Sequence, residues 1–153
     1  MSLALALHLL AAVLWVGGMF FAYAVLRPVA AAQLEPPRRL RLWGAVLERF
    51  LRWVWVAAPL LPLTGYHLLF GRFHGFAAAP LYVHFMQLLG WVMIGVFLHV
   101  WFGPFRRLRQ AVAAEDWAAG GRALAGVRRA VAFNLLLGAL VIAAAGGGRL
   151  LGS

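Results

Sequence analysis

The chain has 153 residues, of which 65% are hydrophobic and only 12% charged, and its mean hydropathy is +0.87. A soluble domain of this size cannot hide so much apolar surface, so composition alone points to a membrane protein. The formal charge of +10 comes from fourteen arginines and four acids, and where the arginines fall argues against nucleic acid as the partner. Cysteine is absent, which excludes disulfides, iron–sulfur clusters, thiolate metal sites and covalently attached haem.

Four stretches free of Asp, Glu, Lys and Arg fill most of the chain: Leu3–Leu26, Trp53–Gly71, Pro80–Pro104 and Ala130–Gly148. Each is close to the ~20 residues that a helix needs to cross a bilayer core. Lipid offers no partner to backbone polar groups, so each is expected to cross as a helix. The first lacks a basic n-region and is longer than a signal-peptide core, so it reads as a retained helix. Arg27-Pro28 is expected to end it, because proline removes a backbone donor and restrains the residue before it. Glu35-Pro36-Pro37 then reads as a helix start. From there Leu40, Trp43, Leu47, Phe50 and Leu51 recur at helical spacing, opposite Arg38, Arg41, Glu48 and Arg52. This pattern predicts an amphipathic helix lying in the membrane interface and running into the second span.

Pro59 and Pro62 predict a kink in the second span, and Trp53, Trp55 and Trp101 predict interfacial belts. A short loop, residues 72–79, leads to the third span. Phe105–Val127 predicts a weaker amphipathic segment, broken at Gly120-Gly121, before the fourth span begins. The expected fold is therefore all-α: one domain, a four-transmembrane-helix up-and-down bundle with short interfacial helices. Twelve arginines fall in the two loops that join spans one to two and three to four. Only Arg72 and Arg149 lie toward the other face. That asymmetry predicts a bacterial inner-membrane protein with both termini periplasmic and the arginine-rich loops cytoplasmic, touching anionic headgroups.

An ionisable group inside a span is a functional-site hypothesis by default. Four of the five histidines lie within spans. Counting along the helices at 1.5 Å per residue puts His8 ~7–8 Å below the outer end of the first span. His67 and His84 fall at a similar depth in the second and third spans, and His74 lies in the loop between them. These positions predict an outer layer of imidazoles. Two facing histidines would suit axial ligation of a b-type haem, with Trp15 as an apolar wall and small residues such as Gly18 giving room. Three or four, His8, His67, His74 and His84, would instead suit copper. The plain alternative is a structural subunit in which histidines hydrogen-bond across helices, His67 to Thr64 or Tyr66. His99 lies near the inner end of the third span, at the depth of Asn134 in the fourth, and a hydrogen bond between the two is expected.

The run from Leu7 to Phe21, LHLLAAVLWVGGMFF, resembles the first-helix motif of the copper-resistance D (CopD) domain family. It also resembles the related HemJ protoporphyrinogen oxidases, which share histidine, tryptophan seven residues on and glycine ten residues on, here His8, Trp15 and Gly18. Leu98-His99, followed by Gly103-Pro104 and Arg106-Arg107, is similar to the third helix of the same group. The resemblance implies a small bacterial membrane protein linked to copper in one branch and haem in the other. It also implies that His8 is a haem or metal ligand and His99 a second candidate. HemJ-like enzymes carry a third-helix lysine that this chain lacks, Gln87 standing in that region, which argues against protoporphyrinogen oxidation. Asn134 stands where CopD-like fourth helices often carry an acid. The leading expectation is a haem b protein in membrane electron transfer, with His8 and either His67 or His84 as axial ligands. Copper binding or transport at the same cluster is the alternative. Quinone or a periplasmic redox or copper protein would be the partner, and self-association of the bundle stays open.

Overall fold

The computed structural model describes residues 2–151, all in helices or short connections, with no strand among them. Helix α1 covers residues 2–33 and α2 is Pro36–Phe73. They are followed by α3, Leu81–Phe102, the short α4, Pro104–Ala113, and α5, Trp117–Leu151. Four helical stretches are long and apolar enough to cross a bilayer. Their outward faces are apolar too: Leu10, Val13, Leu63, Leu81, Leu88 and Leu136 are all more than half exposed. A soluble protein would not leave such a belt in water.

Neighbouring spans run antiparallel. The start of α1 meets the end of α2 through His8 and Thr64, and the start of α3 meets the end of α5 through Tyr82 and Gly148. Helix α1 lies along α2, and α3 lies along α5, which also touches α1. The buried stripe of α1 is Ala11, Trp15, Met19 and Ala22, three or four residues apart, as one face of a helix requires. Gly18 sits beside that stripe, where a Cβ would run into the Phe50 ring of α2. Its role in the fold is thus to let two helices approach, as small residues do inside membranes.

Helix α1 does not stop at Arg27-Pro28. Two wider π-type turns, Val13–Gly17 and Phe21–Leu26, interrupt its α-helical pattern, and the chain stays helical through Pro28 to Gln33 before Leu34 turns extended. A π turn just before proline widens the helix where the ring would otherwise clash and where its missing N–H would break the ladder. Pro59 and Pro62 are likewise carried inside α2 without ending it.

The 38 residues of α2 span ~57 Å at helical rise, well beyond a ~30 Å hydrocarbon core. Its first half is amphipathic as expected, but its apolar face packs against protein rather than lying on lipid. Leu40, Trp43 and Leu47 join Phe105 and Leu108 of α4 and Ala123 and Val127 of α5 in one continuous core. The bundle therefore extends past the apolar belt into an arginine-rich end. Exposed ion pairs Arg41–Glu115, at 2.9 Å, and Arg52–Glu48 decorate it. Pairs of this kind contribute little to stability.

The break between α4 and α5 falls at Ala114–Asp116, where Glu115 takes φ 55°, and not at the glycine pair. Asp116 caps α5 by accepting the Ala119 N–H at 3.0 Å. Gly120 lies one turn inside the helix against Leu40, where a Cβ would come within 3.1 Å. At the opposite end α2 terminates with His74 and Gly75 both at positive φ. Gly75, at φ 123°, adopts a conformation that side-chain-bearing residues avoid.

Gly18→Val should place two methyl-bearing branches into the Phe50 ring. The expected cost is about 1–3 kcal/mol, read as a lower unfolding temperature in detergent, with Gly17→Val, whose Cβ meets nothing, as the tolerated control.

Candidate functional site

His8 is half-buried near the start of α1, with its Nδ1 2.8 Å from the Thr64 hydroxyl of α2. The same hydroxyl lies 2.6 Å from the Leu60 carbonyl and 3.2 Å from that of Leu61. A hydroxyl owns one proton. At 2.6 Å the contact with Leu60 is a hydrogen bond that Thr64 donates one helical turn back, a usual arrangement for buried threonine. Thr64 then has only lone pairs to offer His8, so His8 Nδ1 is the donor. The ring is thereby assigned the tautomer with Nδ1 protonated and Nε2 bearing a free lone pair. A ligating histidine is commonly oriented in this way, one nitrogen held by an oxygen and the other left for the metal. Gly65 lies against the ring, 3.4 Å from Cε1 when measured from an added Cβ.

The other predicted ligands do not gather around His8. His67 is exposed. It lies three residues beyond Thr64 and two beyond Gly65, ~110° around α2 from the midpoint of the two residues that meet His8. Its expected partners are engaged elsewhere: Thr64 with His8, and Tyr66, whose hydroxyl accepts the Trp91 Nε1–H at 3.1 Å. His84 is half-buried and stacks on Phe76, with ring centroids 6.3 Å apart, while Phe76 in turn meets Tyr66 and Phe70 edge-on. His74 is exposed in the left-handed turn that ends α2. Among the described residues no group of three or more His, Asp or Glu side chains could hold a metal ion. The shared depth read from the sequence is a statement about height along the bundle. Rotation about each helix axis sends the rings in different directions.

A b-type haem needs two imidazoles facing across a porphyrin-wide slot. Here one imidazole is oriented inside the bundle, one faces outward from α2 and one is stacked on Phe76, so the donor set for that group is not assembled. Trp15 lies seven residues deeper than His8, 3% exposed, and packs edge-to-face on Phe97 at 6.0 Å. It is a core residue at mid-depth and makes no wall beside His8.

His99 and Asn134 do not pair. Met93, Phe97 and Val100 form the buried stripe of α3, which leaves His99 exposed. Asn134 is 3% exposed and donates through Nδ2 to the Met93 carbonyl at 3.4 Å, while its Oδ1 has no partner among the described residues. Asn134 also lines a crevice of about 20 Å³ with Trp15, Met19 and Phe97. His99 instead lines a wider groove at the arginine-rich end. Thr64, the partner of His8 where His67 was the expected one, is the one hydroxyl-bearing aliphatic residue in the second span.

Residues 44–147, about two thirds of the chain, match the family described as Copper resistance protein D. The chain belongs to that family. It is thus a copper-resistance-related, multi-pass membrane protein, as its four apolar helices require. No curated protein and no solved structure matches it. The match to Copper resistance protein D takes in most of α2, all of α3 and α4, and most of α5, so it includes Thr64 and Asn134. Helix α1 with His8 lies outside it.

An unpaired buried carbonyl costs roughly 1–3 kcal/mol. Asn134→Leu should therefore leave the fold intact and raise the unfolding temperature, measured by thermal denaturation in lipid nanodiscs. A marked fall would show that Oδ1 is satisfied in the working protein.

Proposed function

We propose that this member of the Copper resistance protein D family binds copper ions at the histidine end of the bundle and passes them inward along the buried face of α1. The observation that carries the reading is the 2.8 Å contact between His8 Nδ1 and the Thr64 hydroxyl, which leaves Nε2 as the nitrogen open to a metal. Neutral imidazole is a good copper ligand and needs no proton removed before it binds. Deeper on the same face of α1, eleven residues or ~16 Å along the axis, stands Met19. Its thioether is buried, as is that of Met93 across the core, and thioethers favour Cu(I).

A single imidazole does not complete a copper coordination shell. That incompleteness suits a transfer site, where a delivering protein supplies further donors for a time. The arginine asymmetry supports placing the arginine-rich end in the bacterial cytoplasm and His8 toward the periplasm, so copper would arrive from the periplasmic side, carried by a small copper protein. Nothing in the geometry favours the haem reading over this one.

Equilibrium dialysis of the purified protein in nanodiscs against Cu(I), followed by metal analysis, tests the proposal. The expected result is about one copper per chain, lost in His8→Ala. Thr64→Val should weaken binding by about 10–100-fold because it removes the atom that orients the ring, whereas Thr64→Ser should bind as the parent does. Equal copper in the parent and in His8→Ala would overturn the proposal, and a Soret band that disappears in His8→Ala would return haem to first place.

A further inference from the structure

At the arginine-rich end, a groove of about 420 Å³ opens where α3, α4 and α5 meet, lined by His99, Pro104, Arg107, Gly126, Arg129 and Ala130. Its charge is one-sided. Arg107 and Arg129 come from different helices, and neither forms an ion pair among the described residues. All four acids of the chain are placed elsewhere. Glu48 and Glu115 pair with Arg52 and Arg41, Asp116 caps α5, and Glu35 precedes α2. Two arginines and a histidine therefore line one concavity with no acidic residue among its lining.

The groove is formed by packing and is not an accident of loose side chains. Gly126 lets the start of α4 press onto α5, where a Cβ would lie 3.2 Å from the Pro104 ring. Its height is also defined. Arg129 is the last charged residue before the apolar part of α5, and His99 stands three residues from the end of α3. Directly below, on the apolar side, Phe133 lies four residues after Arg129 on the same face and is half-exposed. Basic groups above and an exposed apolar surface beneath are the profile of an anionic headgroup with its acyl chains.

We propose that this groove is a specific site for a phosphate-bearing anion, held between the Arg107 and Arg129 guanidiniums with His99 as a third donor. Guanidinium forks bind phosphate oxygens in pairs, which a generally basic surface does not do with fixed geometry. Two sources offer this chemistry: the headgroup of an anionic phospholipid, which the apolar surface below favours, and a soluble phosphate. The inference is independent of copper binding.

The test is native mass spectrometry of the full-length protein released from detergent, titrated in separate arms with phosphatidylglycerol, phosphatidylcholine and sodium phosphate. A lipid site predicts one phosphatidylglycerol retained in preference to phosphatidylcholine and not displaced by sodium phosphate; a soluble-anion site predicts saturable binding of phosphate itself. In either case Arg107→Gln/Arg129→Gln should lose roughly tenfold or more of the affinity. Arg38→Gln/Arg49→Gln, which removes the same charge outside the groove, should lose little. Both arginines of the groove are exposed, so the double variant should fold, and Arg107→Lys, which keeps charge but not the fork, should fall between it and the parent. Equal retention of phosphatidylglycerol and phosphatidylcholine with no phosphate binding, or equal losses in the two double variants, would overturn the proposal.

Discussion

The Thr64 hydroxyl has a single proton, and the Leu60 carbonyl 2.6 Å away takes it. In water this would matter little, because solvent would satisfy whatever His8 was left holding. In an apolar helix pair little water is at hand to compensate. The allocation of one proton on α2 therefore fixes the protonation of a ring on α1, and with it which nitrogen is free. The copper chemistry proposed for Nε2 follows from that one constraint.

The two ends of the molecule obey different rules. Around the apolar belt, cohesion comes from close approach and interlocking aromatics: Gly18 against Phe50, Trp15 against Phe97, and Trp55 against Phe97 and Trp101. At the arginine-rich end the same helices continue beyond the span of a bilayer, and α4 folds back to cover them. Phe105 and Leu108 are almost wholly buried there, so that end has a core like that of a soluble helical domain. The phosphate groove lies at the junction of these regimes, where charge-free helix gives way to arginine.

Much of this was legible in the sequence. The absence of charge over four long stretches gives the number of spans, and the Leu40, Trp43 and Leu47 spacing gives which face of α2 is apolar. What that face packs against was not legible, because periodicity looks the same whether the cover is lipid or another helix. That α1 runs on past Pro28 is not visible in composition, because a proline's effect depends on the turn before it and a π turn leaves no simple mark there. The α4–α5 break falls at the Asp116 cap, and of the two glycines that follow it Gly120 serves packing against Leu40.

The histidines show the same division. Residue count gives the height of His8, His67 and His84, but a ring's direction depends on rotation, at ~100° per residue. An error of one position in judging which face turns inward moves a side chain from core to lipid. His99 beside the buried Phe97 and Val100 is such a case. Thr64 was visible as a rare hydroxyl in an apolar span, but the helix it would serve was not.

The central claim, that Thr64 holds His8 with Nδ1 protonated and Nε2 free, is tested most directly by nitrogen-15 NMR of histidine-labelled protein in lipid, with His8→Gln used to assign the signal. The expected spectrum shows a neutral His8 ring with Nδ1 carrying the proton, and this preference is lost in Thr64→Val. A parent spectrum in which Nε2 carries the proton, unchanged by Thr64→Val, would contradict the account.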